Sequence, residues 1–523
     1  MSTSPVDAAG FLDEVVRPYG RGEGGALPMS AHDARAVMPP ATSALRDLGY
    51  VAAELPVLDA ARCTACMECV VVCPDAALLA RVVPEAECEA LLGDVERADL
   101  SEALCGRFAR ARKFGEVAAR RGLPPARFGL FVDPRRCKGC GECALVCGED
   151  ALVMRVKDAP LVQDARRTFD VAAALPEPAD GYVQKRVPPD WMLAARAQLY
   201  VGGAGSCRGC GEATAIRMML AATGFAYGPD ACAIVAATGC NSVFGSTWPH
   251  NPFRVPWTNS LFENAPAVAM GLRLRWDQVG LKGAKIWVVG GDGALCDIGF
   301  GSLSRLIASG LDVNVLVLDT QGYSNTGGQA STATFPSQNA KMASVGRERP
   351  GKVEARKELA VLALAHGDVF AAQTTAAHLG HFYRAVSDAN AFSGPAVVNV
   401  YCPCQPEHGI KDDASAQQSQ RAVVSRAFPL LSYDPRRGER IADRLSLQGN
   451  PSLDRDWHVE QATGEAFDFV AFARSEGRFA AQFDADGRPT AALLGAQEER
   501  RRNWHRLREL AGLGPIPAAS AAP

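Results

Sequence analysis

At 523 residues and a net charge of −3, the chain is long enough for two or three domains and lacks the basic excess of a nucleic-acid or anionic-membrane surface. No apolar run approaches a membrane span, and residues 1–16 carry acids and no apolar signal core, so a soluble, cytoplasmic protein is expected. Its 17 cysteines argue for metal over disulfides, because a reducing compartment keeps thiols free and most of these fall at ligand spacings.

Residues 1–55 are rich in Gly, Pro and Ala, with helical patterning over 31–48, and read as an N-terminal arm that docks on the first domain. Residues 56–155 hold two cysteine runs, Cys63-Thr-Ala-Cys66-Met-Glu-Cys69-Val-Val-Val-Cys73-Pro74 and Cys137-Lys-Gly-Cys140-Gly-Glu-Cys143-Ala-Leu-Val-Cys147-Gly148. Both follow the C-x2-C-x2-C-x3-C spacing of bacterial ferredoxins, in which three cysteines wrap one cubane and the fourth reaches over to its neighbour. Cys63, Cys66, Cys69 and Cys147 then hold one [4Fe-4S] cluster, and Cys137, Cys140, Cys143 and Cys73 a second. Structural zinc is the competing reading, but zinc ligands come in C-x2-C pairs set further apart. Gly148 stands where the first run has Pro74, a departure that bears on turn geometry and removes no ligand. The insert between the runs, residues 75–136, has helical patterning and carries Cys88 and Cys105, which lack partners at ligand spacing and are expected to be buried thiols. Residues 156–200, polar and interrupted by Pro160, Pro176, Pro178, Pro188 and Pro189, read as a linker.

Residues 201–414 form the next domain. They open with Ala204-Gly-Ser-Cys207-Arg-Gly-Cys210-Gly-Glu212 and a helical run to Leu220, with Glu212 at a helix start, where the dipole favours an acid. Four apolar runs of strand length then end in polar residues: one before Cys240, one in Val288-Val-Gly-Gly-Asp292-Gly293, one in Leu316-Val-Leu-Asp-Thr320-Gln-Gly322-Tyr-Ser-Asn325, and one before Cys402-Pro-Cys404. As parallel strands of one sheet they would bring these residues to a single carboxyl edge beside Glu212, where such sheets bind ligands. The Asp292 carboxylate, the Thr320 hydroxyl and the Gly322 carbonyl are hard oxygens suited to an octahedral Mg2+ carrying a diphosphate, and Gly291 and Gly293 would let that diphosphate approach the backbone. Cys232 and Cys296 lie in apolar context and are expected in the core. Residues 415–523 read as a C-terminal arm with a charged helical run over 497–510 and a low-complexity end over 515–523.

Gly-Asp-Gly followed by Asp-Thr-Gln-Gly-Tyr-Ser-Asn-Thr-Gly-Gly-Gln resembles the diphosphate-binding motif of thiamine diphosphate enzymes, in the form found in the pyruvate:ferredoxin and other 2-oxoacid:ferredoxin oxidoreductases. The resemblance spans about residues 30–480. It implies an α/β architecture: a parallel-sheet thiamine diphosphate-binding fold preceded by an α+β ferredoxin-like 2[4Fe-4S] domain. It also implies a third, proximal [4Fe-4S] cluster on Cys207, Cys210, Cys240 and Cys404, with Cys402 competing for the last place because three residues separate Cys404 from His408. Glu212 and Asn325 would line the thiamine site. The tail would resemble the family's arm around a neighbouring subunit, against the alternative of a solvated appendage. Ala294 and Leu295 replace larger aromatic residues, which bears on the substrate.

The implied activity is oxidative decarboxylation of a 2-oxoacid, pyruvate or a relative, to acyl-CoA and CO2, with electrons passing through three clusters to ferredoxin or a similar low-potential acceptor. No segment resembles the aminopyrimidine-binding domain such enzymes need. An alpha-type partner subunit is therefore expected to supply that domain and the substrate pocket, with coenzyme A as co-substrate and no nucleic-acid or membrane partner. The alternatives are an electron-transfer subunit without chemistry of its own, which intact Asp292, Thr320 and Asn325 argue against, and a non-oxidative thiamine decarboxylase, which would have no use for the cysteine motifs.

Overall fold

A computed structural model describes residues 8–29, 38–92, 101, 103–104, 106–460 and 464–516. The chain falls into two units, the first made of Met1–Gly209, Leu220–Asp230 and Val243–Pro256, the second of Cys210–Met219, Ala231–Ser242 and Trp257–Pro523.

The first unit is built on strands β1 (Glu54–Leu58), β2 (Leu78–Pro84), β3 (Phe108–Ala109), β4 (Ala126–Val132) and β5 (Leu152–Val156). β1 and β5 pair antiparallel with Glu54 opposite Val156, which brackets both cysteine runs between the two ends of one ribbon. Two short helices, α1 (Glu68–Val72) and α2 (Glu142–Leu145), follow the turns that carry Cys66 and Cys140. The turns match residue for residue: Ala65 and Met67 have φ of 59° and 73°, and Gly139 and Gly141 have 66° and 93°. Glycine adopts this left-handed region freely, whereas Ala65 and Met67 are held there by burial, each 1% exposed.

Residues 75–136 contain helices, Glu85–Leu92 and Glu116–Arg120, but also strands that the helical patterning did not announce. β2 and β4 pair antiparallel over their whole length, and β3 adds to β4, giving a three-stranded sheet. Partners so far apart in sequence leave no local periodic signal. Cys88 is fully buried beside Val83, Leu104 and Phe108; Cys105 lies outside the described residues.

Residues 156–200 begin with a regular helix, α3 (Ala159–Ala174), rather than an open linker. Pro160 falls in its first turn, where a missing N–H costs nothing, and the Asp158 side chain caps it by accepting from Leu161 N–H at 2.8 Å. Phe169 and Ala172 seat it on the apolar cluster of Val83, Phe108 and Phe131. Of the N-terminal segment, Phe11, Val15 and Val16 are buried in a small cluster of their own. Part of the helical stretch expected over 31–48 lies outside the described residues, and the rest contains a 3-10 turn, Thr42–Leu45.

The second unit is organised by a sheet of strands β6 (Cys232–Ala237), β7 (Trp257–Ser260), β8 (Lys285–Gly291), β9 (Asn314–Asp319), β10 (Phe370–Thr375), β11 (Ala396–Tyr401), β12 (Leu431–Tyr433) and β13 (Leu445–Ser446), in the order β13-β12-β10-β11-β9-β8-β6-β7. β7 through β10 in that spatial order are parallel; β12 and β13 close the far edge antiparallel. β6, β9, β10 and β11 are buried at every residue, as expected of a parallel sheet covered on both faces. Cys232 sits in β6 and Cys296 just after β8, both in the core, where burial raises their thiol pKa.

Residues 415–516 fold back on their own unit. Phe469, Phe472 and Phe479 pack with Phe335, Tyr401 and Phe428. Trp504 and Leu507, on the helix Ala491–Leu510, enter the core with Val288 and Val315. Burying each such side chain contributes about 1.5–3 kcal/mol, enough to hold the helix in place. Among the described residues no helix is long and apolar enough to cross a membrane.

Candidate functional site

In the first unit the eight ferredoxin-type cysteines divide between two cavities in the combination that the spacing implied. Cys63, Cys66, Cys69 and Cys147 line one, and Cys73, Cys137, Cys140 and Cys143 the other. Among the described residues no three Cys, His, Asp or Glu side chains close on a point as a mononuclear site would. Burial pushes the Cys137 thiol up to about 12, with Cys73 repelling it further, and the Cys69 and Cys143 thiols also stand well above the ordinary range. Thiols packed this way favour a cationic iron core that neutralises their charge. Ala77 N–H donates to Cys73 Sγ at 3.3 Å, and Ala151 N–H to Cys147 Sγ at 3.2 Å. The second turn therefore matches the first without a proline, and a Cβ at Gly148 would meet nothing within 4 Å.

In the second unit β11, β9, β8 and β6 stand side by side, so the residues after each strand fall along one carboxyl edge. Asp292 follows β8 and is fully buried. Its Oδ1 accepts from both the N–H and the hydroxyl of Thr320, each at 3.2 Å, and its Oδ2 accepts from the Ser331 hydroxyl. The Thr320 hydroxyl is also 3.1 Å from the Gly322 carbonyl, so the three oxygens expected to share a cation are neighbours. Burial and the charge of Asp319 push the Asp292 carboxyl up to about 7, a penalty that a divalent cation would relieve.

Beside these oxygens opens a cavity of about 290 Å³, lined by Glu212, Cys240, Gly291, Gly293, Ala294, Thr320, Gly322, Tyr323 and Asn325, among others. Glu212 lies in the first turn of the helix Gly211–Tyr227, and its Oε2 is buried without a hydrogen-bond partner. Burial, with Asp292 adding to it, pushes its carboxyl up to about 8. That outweighs the helix dipole, which is worth about 0.3–1 kcal/mol. A Cβ on Gly291 would meet only the Leu318 carbonyl, at 3.9 Å, so the backbone there is open to a ligand. At Gly293 a Cβ would stand 2.2 Å from the Tyr323 ring, which occupies that space. The Tyr323 hydroxyl donates to Asp297 at 2.7 Å, fixing the ring. Residues Gly293–Ile298 form a π-helical turn, a distortion frequent at functional sites. Ala294 lines the cavity, whereas Leu295 lies in the core and does not shape it. An orphaned carboxylate oxygen, open backbone at Gly291 and a buried acid lacking a countercharge together fit a diphosphate cofactor with its metal.

Several supporting residues left little or no mark in the sequence. Asp319 ends β9 and forms a buried ion pair with Arg356, while Asn399 Nδ2 donates to it at 3.2 Å. Gln321, at φ 54°, donates its N–H to the same carboxylate at 3.2 Å, which locks the turn at Thr320. His408 Nε2–H donates to the Thr320 carbonyl at 2.9 Å, and burial keeps this ring neutral. Arg478 pairs with Glu476 at 2.6 Å and reaches Gln321 Oε1 at 3.1 Å.

The remaining cysteines are distributed as follows. Cys207 is exposed and belongs to the first unit; Cys210, Cys240 and Cys404 belong to the second and are half-buried. Gly211 N–H donates to the Pro403 carbonyl at 3.2 Å, so the segments bearing Cys210 and Cys404 touch. Cys402 is fully buried, with its thiol pushed well up by burial and by Glu212.

Residues 232–400 match the thiamine pyrophosphate enzyme C-terminal TPP binding domain, and residues 56–79 and 130–153 match the 4Fe-4S binding domain. The chain is 28% identical to the pyruvate-flavodoxin oxidoreductase of Rhodospirillum rubrum over 97% of this chain and 46% of that protein. It is 28% identical to the pyruvate:ferredoxin oxidoreductase of Moorella thermoacetica over 81% of this chain and 40% of that one. It thus spans less than half the length of these curated relatives. A solved 2-oxoglutarate:ferredoxin oxidoreductase from Magnetococcus marinus, with 2-oxoglutarate, coenzyme A and succinyl-CoA bound, overlaps 39% of this chain and 65% of its own at 22% identity and a TM-score of 0.34.

Proposed function

The chain belongs to the pyruvate:ferredoxin and pyruvate-flavodoxin oxidoreductase family, and from that premise we propose that it carries the thiamine- and iron-sulfur-binding part of a 2-oxoacid oxidoreductase. The reaction is the oxidative decarboxylation of a 2-oxoacid to acyl-CoA and CO2, with electrons leaving to ferredoxin, flavodoxin or a similar acceptor. The observation that carries this reading is the convergence of Asp292, Thr320 and Gly322 beside a cavity that also contains Glu212 and Asn325.

Bound thiamine diphosphate supplies the electron sink for decarboxylation, and the [4Fe-4S] clusters accept the electrons singly. Asp292, Thr320 and Gly322 are the residues that would hold Mg2+ for the diphosphate, with Ser331 orienting the Asp292 carboxylate. Gly291 lets the diphosphate lie against the backbone. Glu212 presents Oε2 to the cavity as a group that can hold a proton, and Asn325 at the mouth offers an amide to the substrate. Tyr323 forms part of the cavity wall, and Ala294 leaves room that a larger residue would fill.

Cys63, Cys66, Cys69 and Cys147 hold one cluster and Cys73, Cys137, Cys140 and Cys143 another. Cys207, Cys210, Cys240 and Cys404 are the ligands that the family resemblance implies for a third. Cys404 is taken as the fourth ligand, on the segment whose Pro403 carbonyl accepts from Gly211 N–H, with Cys402 as the alternative. An alpha-type partner subunit supplies the aminopyrimidine-binding domain, most of the 2-oxoacid pocket and the coenzyme A surface.

The test is anaerobic isolation of the native complex, followed by viologen reduction over a panel of 2-oxoacids with and without coenzyme A. Coenzyme A-dependent reduction, retained thiamine and about 12 iron atoms per chain are expected, four for each cluster. A complex that retains no thiamine overturns the assignment of the cavity.

A further inference from the structure

Within the first unit, the loop that carries Cys207 is fastened to the loop that carries Cys137 and Cys140. Lys138, between those two cysteines, is 4% exposed. Its ammonium donates to the Ser206 carbonyl at 2.6 Å and to the Ser206 hydroxyl at 3.0 Å, and it pairs with Asp75 at 2.6 Å. On the other side of Cys207, Arg208 Nη2 donates to the Gly139 carbonyl at 2.7 Å. The approach to Cys207 is equally tight. Gly202 and Gly203 have φ of +76° and +72°, and a Cβ on each would stand 1.9 Å from the Asp75 carbonyl and 2.0 Å from the Ser43 carbonyl. Only glycine permits that contact.

Two features set these bonds apart from ordinary loop packing. Both residues flanking Cys207 are tied to the dipeptide between Cys137 and Cys140, Lys138-Gly139. The buried ion pair that makes one of the ties, Lys138 with Asp75, also lines the cavity of Cys73, Cys137, Cys140 and Cys143. A buried ammonium is costly to desolvate, and beside four thiolates it favours whichever state of a cluster carries more negative charge, the reduced one.

We propose that Lys138 is a positioning residue for electron transfer. It anchors the Cys207 loop to the ferredoxin-type site of Cys73, Cys137, Cys140 and Cys143 and biases the transferred electron onto that site. The inference rests on the reading of Cys207 as a ligand of the third cluster. Each transfer oxidises the cluster at Cys207 by one electron and reduces the cluster at Cys137 by one, with no bond made or broken and no proton moved.

The experiment is an EPR-monitored redox titration of the iron-loaded complex. Lys138→Met should lower the midpoint of the Cys137 cluster, shifting electron partition about tenfold toward the Cys207 cluster, or 59 mV for one electron. Lys138→Arg, which keeps the charge, should restore the midpoint. Asp75→Asn removes the opposing charge and should move the midpoint upward, and it decides alone if Lys138→Met fails to load iron. Midpoints that stay in place in the variants at full iron content overturn the inference. A wild-type iron content of about eight per chain instead overturns the reading of Cys207, whatever the midpoints show.

Discussion

The buried pair of Asp319 and Arg356 offers the sharpest test of how the site is held. Both side chains are 1% exposed, and Arg356 also donates to the Ala333 carbonyl and lies 5.0 Å from the Phe335 ring centroid. Arg356→Met removes the cation and leaves Asp319 charged in the core next to Asp292. Orphaning a buried charge costs about 3–5 kcal/mol. The Ala333 carbonyl left without its donor adds about 1–3 kcal/mol. The sum, on the order of 5 kcal/mol, is a large share of the roughly 5–15 kcal/mol that stabilises a typical domain. A fall in melting temperature of roughly 10 °C follows for a unit of this size. Asp319→Asn combined with Arg356→Met removes both charges and should recover about 3 kcal/mol, a coupling that a double-mutant cycle in denaturant reads directly. Thiamine retention by the native complex should fall in the single variant, because Asp319 also fixes the Thr320–Gln321 turn. Additive losses in the cycle would refute the reasoning, since they would mean the two charges do not depend on each other.

Ser331→Ala takes away the hydroxyl bonded to Asp292 and should weaken thiamine diphosphate–Mg2+ binding about 10–100-fold by calorimetry on the complex, the usual loss for a ligand's support. Gly293→Ala drives a methyl into the Tyr323 ring and should cost about 1–3 kcal/mol in thermal unfolding; an unchanged melting curve would show that the ring does not pack against residue 293. Cys404→Ser should lower iron from about 12 to about eight atoms per chain while Cys402→Ser leaves it intact, and the reverse result would exchange their roles. Burial pushes His378 and His381 down to about 4, with the neighbouring His378 and Arg384 charges adding to the effect at His381. A histidine with a folded pKa below its unfolded value contributes stability that is present above about 6.5 and lost as pH falls toward about 4. Each accounts for up to about 3 kcal/mol, so His381→Gln should flatten the melting temperature between pH 7 and pH 4.5.

How far the sequence could be read depended on whether the signal was local. The Val288–Gly291 and Leu316–Asp319 runs announce buried parallel strands because β-branched residues stop abruptly at Gly, Asp and Thr. The spacing led to the expectation that Cys147 groups with Cys63, Cys66 and Cys69, and these four line one cavity. Where partners are remote, the sequence is silent. β2 meets β4 across the insert with no periodicity to mark it, and α3 was hidden by Pro160, a residue that fits a first turn as well as a loop. Glu212 is at a helix start as expected, yet burial governs its charge and not the dipole. At Gly293 the Tyr323 ring leaves no room for a side chain, a contact that no sequence pattern could have placed there. Nothing local in the sequence marks Arg478, Glu476 and Arg356, and only the fold shows them supporting the turn at Thr320.

That support has a consequence for how the protein is made. Gln321 is held by Arg478, 157 positions further along the chain. At a synthesis rate of about 5–20 residues per second, roughly 10–30 s pass between the appearance of the turn and the arrival of the side chain that braces it. The ferredoxin-type half can mature on the ribosome as it emerges. The vitamin-binding half has to wait for Arg478, so assembly of the two ferredoxin-type clusters would precede coenzyme loading in the life of each molecule.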